Sequence, residues 1–317
     1  MRKVVRLKKL SVKWEQALEE FLLHKKAEGR AARTLFDYKA RITPFFQAYP
    51  EAWPDYEALR RAVRLYLAQF TGKAPASYNL PLQYLRSFFS WCMAENMLHA
   101  NPTEGIAKRK DEGKAREIPE DTLKNLLALP DRRTYAGIRD YALILLQVDT
   151  GIRPGEALNL KPSDFNIPQL EVVIPRETAK TRTQRTAVYS PVTAKAIKRL
   201  LDVRPPDWND SVPVFASQDG KRMLETSWAN RLRAYGKRIG ADLQPYMLRH
   251  TSAIMALRNG ATAFFVQKQL GHSDMQMTKR YCRLVEEDMH REHSIASPVG
   301  SLIQTRAVKP KESKRRK

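Results

Sequence analysis

Trp14, Ala17, Leu18, Phe21 and Leu22 recur at the three- and four-residue spacing of a helix with one buried face, and this run ends near Gly29. Tyr38, Ile42 and Phe45 form the inner face of a second helix that Thr34 can cap, and a third is expected over residues 56–70. A fourth is expected to follow Pro81 and to bury Leu85, Phe88 or Phe89, and Cys92, until Asn101-Pro102 stops it. The pattern predicts a four-helix unit over residues 11–102.

From 103 to 119 the apolar periodicity lapses and Lys108, Arg109 and Lys110 fall together, the composition of an exposed linker able to track phosphates. Periodicity resumes at 120. Leu123, Leu126 and Leu127 mark one helix, and Tyr141, Ile144, Leu145 and Val148 mark another that Gly151 ends. Arg153 then stands just past a helix end, with Pro154 at the favoured first position of the next helix. Residues 170–174 and 185–189 alternate as two short strands, and the polar connection between them carries Lys180. Helices are expected over 193–201 and 226–239. Leu248, His250, Ile254 and Leu257 mark a further helix closed by Asn259-Gly260; Phe264, Val266 and Leu270 mark one that Gly271 ends, and a short third carries Thr278 and Tyr281. Arg249, His272 and Tyr281 can then converge on one pocket. The chain reads as mainly α: a helical unit, then a mixed α/β unit over 120–296 with a small antiparallel sheet, then a basic, disordered tail over 297–317.

Charge narrows the partner. The 317-residue chain carries a net charge of +22, and its ends, residues 1–10 and 309–317, hold five excess positive charges each, leaving +12 in the body. An excess of this size points to nucleic acid first and to an anionic membrane surface second. The first unit's expected exposed cations, among them Lys25, Arg33 and Lys39, then become a DNA-facing surface. No apolar run approaches spanning length and no signal peptide is indicated. Cys92 and Cys282 are read as reduced thiols, as suits a cytoplasmic, DNA-associated chain.

Leu248-Arg249-His250, Leu270-Gly271-His272 and Tyr281, nine residues past His272, resemble in order and spacing the second box of the tyrosine recombinase (phage integrase) family. Thr150-Gly151-Ile152-Arg153-Pro154-Gly155-Glu156-Ala157-Leu158 resembles the first box, and Ala179-Lys180-Thr181-x-Thr183-x-Arg185 resembles the segment carrying the family's lysine. The resemblance, of the Xer-like two-domain type, implies a SAM-like helical core-binding domain followed by a catalytic domain, closing as a clamp around duplex DNA. It implies a recombination site as substrate, a homotetramer on synapsed DNA exchanging strands through a Holliday junction, and room for a second recombinase or an accessory DNA-bending protein. The helix after Tyr281, over residues 284–290, would pass to a neighbouring protomer. No metal or cofactor is implied.

The chemistry such a site needs fits these residue types. Displacing an alkoxide from a phosphodiester puts charge on two nonbridging oxygens, and Arg153 and Arg249 can clamp both without losing their own charge. His272 can donate to a phosphate oxygen, Lys180 can protonate the leaving 5′ oxygen, and Tyr281 attacks to form a 3′-phosphotyrosine. Arg176 or Arg182 could reach the phosphate in place of Lys180. Glu156 resembles the family's supporting acid. One position departs from the pattern: Tyr246 stands where the family's motif begins with histidine, and a phenol of pKa about 10 is a poor base, though as a member of the catalytic set it can hydrogen-bond a phosphate oxygen. Either Tyr246 is a tolerated variant, or His250 substitutes, or the enzyme is slow; the first is preferred here, with His250 expected to point away from Tyr246's side of the helix. Rival functions are a type IB topoisomerase and a non-catalytic DNA-binding accessory protein.

Overall fold

The computed structural model describes residues 12–53, 55–110, 116–177, 179, 183–282 and 299. The chain divides into two units, residues 1–113 and 114–317.

The first unit holds α1 (Trp14–Ala27), α2 (Ala32–Ala48), α3 (Tyr56–Ala68) and α4 (Pro75–Ala94). Its core is aromatic: Phe21, Phe45, Phe46, Phe88 and Phe89 are fully buried. Rings meet edge to face, as where Phe21 and Phe88 lie 5.4 Å apart at 85°, the geometry a ring quadrupole favours. Two expectations are corrected. Ala31, not Thr34, takes the N-cap position of α2. α4 begins at Pro75 and continues through Pro81. Pro75 suits a first-turn position that needs no N–H, and the burial of Leu82, Leu85, Phe88 and Phe89 outweighs the hydrogen bond that Pro81 omits.

Residues 103–110 lie against this unit. The Asn79 side chain pairs with the Arg109 backbone, donating to its carbonyl and accepting from its N–H, both at 2.8 Å. The Arg109 guanidinium sits 3.9 Å over the Tyr78 ring and donates to the Phe70 carbonyl at 3.0 Å. Arg109 was expected as an exposed linker cation and is instead half-buried, while Lys108 and Lys110 are exposed. Lys25 also departs from expectation: its ammonium pairs with Glu28 at 2.8 Å and its side chain is only 13% exposed, because residues three apart share a helix face. Arg33 pairs with Asp37 yet stays 80% exposed, and Lys39 is exposed.

The second unit runs α5 (Glu120–Ala128), α6 (Tyr135–Thr150), α7 (Pro154–Ala157), β1 (Phe165–Asn166), β2 (Glu171–Ile174), β3 (Arg185–Val188), α8 (Pro191–Asp202), α9 (Glu225–Arg238), α10 (Pro245–Arg258), α11 (Ala263–Leu270) and α12 (Met275–Cys282). The sheet is antiparallel in the order β1-β2-β3, with Val172 opposite Ala187. β1 was not anticipated, since two residues are too few to show an alternation.

α6 is the central strut. Leu143, Ile144 and Leu146 are fully buried, and two of its buried polar side chains bond to α9. Asp140, with no exposure, accepts from Arg139, from Arg231 and from the Tyr235 hydroxyl at 2.8 Å. Gln147 accepts from the Trp228 indole at 2.8 Å. These bonds tie α6 to α9, and α10 packs beside them with Leu248, Ala253 and Ile254 buried. At the unit's entrance the Ile118 N–H donates to the Thr251 hydroxyl at 2.8 Å. Among the described residues no helix is long and apolar enough to cross a membrane.

Candidate active site

Glycines end both helices that flank the site. Gly151 closes α6 at φ 62° and Gly271 closes α11 at φ 66°, a left-handed conformation that side-chain-bearing residues avoid. Each turn leaves helix-end carbonyls without partners inside the helix. Arg249, on α10 and 3% exposed, takes up two of them: it donates to the Gly151 carbonyl at 2.6 Å and to the Leu270 carbonyl at 3.0 Å. Burial first, and the Arg153 charge second, push its pKa down to about 10, so it stays cationic at neutral pH.

Arg153 occupies the N-cap position of α7. Its guanidinium pairs with Glu156 at 3.0 Å and reaches the Gly271 carbonyl at 3.5 Å. Arg185, at the start of β3, takes the other side of Glu156 with contacts of 3.2 and 2.5 Å. Glu156 is 2% exposed; burial raises its pKa, but the Arg185 and Arg153 contacts outweigh that and hold it below the ordinary carboxylate value. The carboxylate is thus a fixed negative strut between two cations.

Tyr281, on α12 and 2% exposed, packs with Ala253, Ile254, Val266 and Leu270. Its ring lies parallel to His272, with centroids 6.1 Å apart at 8°. His272 follows the Gly271 cap, and its Nδ1 is 2.8 Å from the Thr278 hydroxyl. Burial, then Arg249 and Arg153, push His272 down to about 4. Burial also pushes the Tyr281 phenol up, against the pull of Arg249, Arg280 and Arg153.

His250 is the principal correction. It was expected to face away, yet its Nδ1 lies 2.8 Å from the Tyr281 hydroxyl. Positions four apart on a helix share a face, so His250 lies on the same side of α10 as Tyr246. Tyr246 itself is 46% exposed. Lys180 and Arg182 lie outside the described residues, as do the expected helix after Tyr281 and all of the tail but residue 299.

Three residues given no role from sequence also belong here. Arg185 shares Glu156, and Thr278 holds His272. Gln269 on α11 accepts from the Val188 N–H at 3.2 Å and donates to its carbonyl at 2.5 Å, pairing with β3 as a neighbouring strand would. Arg185 was visible as the last residue of the lysine segment's motif; the other two carry no sequence signal beyond their nearness to His272.

Two guanidiniums, two imidazoles and a phenol around one patch suit phosphoryl transfer through tyrosine, and known proteins give this class its outline. The phage integrase family matches residues 116–288. Tyrosine recombinase XerD of Lacticaseibacillus casei is 31% identical over 287 residues, covering 84% of this chain and 94% of that protein. Among solved structures, the Tn1549 transposon integrase in complex with transposon right end DNA superposes with a TM-score of 0.75 at 15% identity, over 90% of this chain and 99% of that one. The XerH site-specific recombinase bound to palindromic difH substrate gives 0.65 at 21%, over 89% and 84%. The protein is a tyrosine recombinase, an enzyme that breaks and rejoins DNA. Its chain belongs to the phage integrase family.

Proposed function

We propose that this chain recombines DNA at a specific site by attack of Tyr281 on a phosphodiester, leaving a 3′-phosphotyrosine and a free 5′ hydroxyl. The observation that carries the reading is the placement of the Tyr281 hydroxyl at 2.8 Å from one imidazole, with its ring against a second, beside cationic Arg249. Arg153 and Arg249 clamp the nonbridging oxygens, and Glu156 keeps Arg153 aimed. His272 donates from Nε2, with Thr278 engaging Nδ1. Lys180 protonates the leaving 5′ oxygen, after the family resemblance of its segment. The phosphotyrosine conserves the bond energy, so a 5′ hydroxyl from a second strand can reverse the step without ATP.

The finer assembly belongs to the same proposal. Four protomers act on two synapsed recombination sites, with a second recombinase or a DNA-bending protein as a further partner, in the cytoplasm. Arg33, Lys39, Lys108 and Lys110 lie along the DNA backbone, supported by their positive charge and exposure. The test is a nicked duplex carrying a candidate attachment site, run on a denaturing gel. The wild-type protein is expected to yield a covalent protein–DNA complex and Tyr281→Phe none. A complex persisting in that variant would remove Tyr281 as the nucleophile.

A further inference from the structure

We propose that His250 is the proton acceptor for Tyr281, replacing the histidine whose motif position Tyr246 fills. The inference rests on the reading of Tyr281 as nucleophile and adds a catalytic residue to it.

Three observations carry the argument. First, the phenolic oxygen and His250 Nδ1 are 2.8 Å apart, hydrogen-bond distance for the proton that must leave. Second, Tyr246 is 46% exposed and its phenol has too high a pKa to collect that proton at neutral pH. Third, His250 is held neutral. The charged groups acting on it are Arg280 and Arg249, and these cations, after burial as the largest cause, push it down to about 4. His272, the other imidazole beside Tyr281, is likewise pushed down to about 4 and has Nδ1 occupied by Thr278. His250 therefore presents an unprotonated nitrogen throughout the neutral range, with its own proton on Nε2. A phosphodiester arriving between the arginines offsets their charge and raises the basicity of His250 when it is needed.

The step balances. The Tyr281 oxygen bonds phosphorus as the bond from phosphorus to the 5′ oxygen breaks. The phenolic proton passes to His250 Nδ1, and the leaving oxygen takes a proton from the separate acid assigned above. In rejoining, the His250 imidazolium returns its proton to the departing tyrosine oxygen while the 5′ hydroxyl attacks. One imidazole serves both directions, as microscopic reversibility demands.

The experiment uses the full chain and a nicked duplex whose cleavage traps the covalent complex, read as a single-turnover rate. His250→Asn places an amide near the Nδ1 position and keeps a polar partner for the phenol, but it cannot take a proton. It is expected to bind DNA and melt as the wild type does while cleaving about 100-fold slower or worse. The discriminating arm replaces Tyr281 by a ring-fluorinated tyrosine, a phenol acidic enough to ionise at neutral pH without help. With it, the deficit caused by His250→Asn should shrink at least about tenfold, since a lost base no longer matters. A deficit unchanged by fluorination assigns His250 a merely structural role and overturns the inference, as does a His250→Asn rate close to wild type. Tyr281→Phe runs alongside: a covalent complex there refutes the nucleophile, a failure separate from that of the base.

Discussion

Replacing Glu156 by glutamine removes one negative charge from between two buried guanidiniums and leaves the side-chain shape intact. Arg153 and Arg185 are only 11% and 10% exposed, so water cannot fully re-solvate them. An amide can accept from one arginine but turns its own donors toward the other. Breaking a buried pair by removing one partner costs about 3–5 kcal/mol. The lower end applies here because Arg153 keeps the Gly271 carbonyl; most of the loss falls on Arg185, whose buried Nε has no partner among the described residues. About 3 kcal/mol in a unit of this size lowers Tm by roughly 6–12 °C. Scanning calorimetry of the full chain reads the shift for the transition of the second unit. Because Arg153 loses its orientation, single-turnover cleavage should fall as well. Duplex DNA should restore more stability to the variant than to the wild type, since a phosphate supplies the missing negative charge. A Tm within about 2 °C of wild type would show that the carboxylate is not the strut described here. The sign with pH follows from the same contacts: a carboxyl held below its ordinary value contributes stability above that value and loses it as pH falls through the folded one.

His250 and His272 act with the opposite sense, being neutral in the folded chain with values near 4 against 6.5 when unfolded. Stability should hold above about pH 6.5 and decline between there and about 4, by at most about 2 kcal/mol per histidine at pH 5; urea unfolding at pH 7 and pH 5 measures it, and His250→Asn should flatten the dependence. A methyl group at Gly271 would lie 2.4 Å from Arg185 Cδ at a φ of +66°, so Gly271→Ala should destabilise by about 1–3 kcal/mol and displace Arg185 from Glu156, seen as a lower Tm together with slower cleavage. Lys39→Ala should lower the salt dependence of DNA binding by about one phosphate contact, a slope change near 0.9, without moving Tm. Arg109→Ala should instead destabilise the first unit, because its guanidinium is engaged with Tyr78 and the Phe70 carbonyl; equal Tm values for these two variants would contradict that division.

Helix positions were legible wherever one face was apolar, and Gly151 and Gly271 marked their ends because only a left-handed residue closes a helix that way. The conjunction of Arg249, His272 and Tyr281 could be read from spacing along one stretch, whereas Arg153 joined them only through the family resemblance of its segment. Contacts between distant segments could not. Nothing local announces that Gln269 pairs with Val188, or that Arg109 folds back on Tyr78, because such contacts depend on where packing brings the chain. The continuation of α4 through Pro81 was hidden for a related reason: a local preference against proline was overruled by burial. His250 was different, because its spacing from Tyr246 already placed the two on one helix face and the expectation that they diverge misapplied the helical repeat.

The bonds that build the pocket join residues far apart along the chain: Ile118 to Thr251 across 133 positions, Arg153 to Gly271 across 118, Arg249 to Gly151 across 98 and Val188 to Gln269 across 81. Closing such loops costs entropy before any contact returns it. During synthesis the carbonyl that anchors Arg249 at Gly151 is made early, while its Leu270 counterpart and Tyr281 emerge near the end. A ribosome-bound chain halted before Leu270 therefore has neither Tyr281, the proposed nucleophile, nor both carbonyls that hold Arg249. On the proposed mechanism, truncated products would not cleave DNA, and the capacity to cut would arise only with the finished fold.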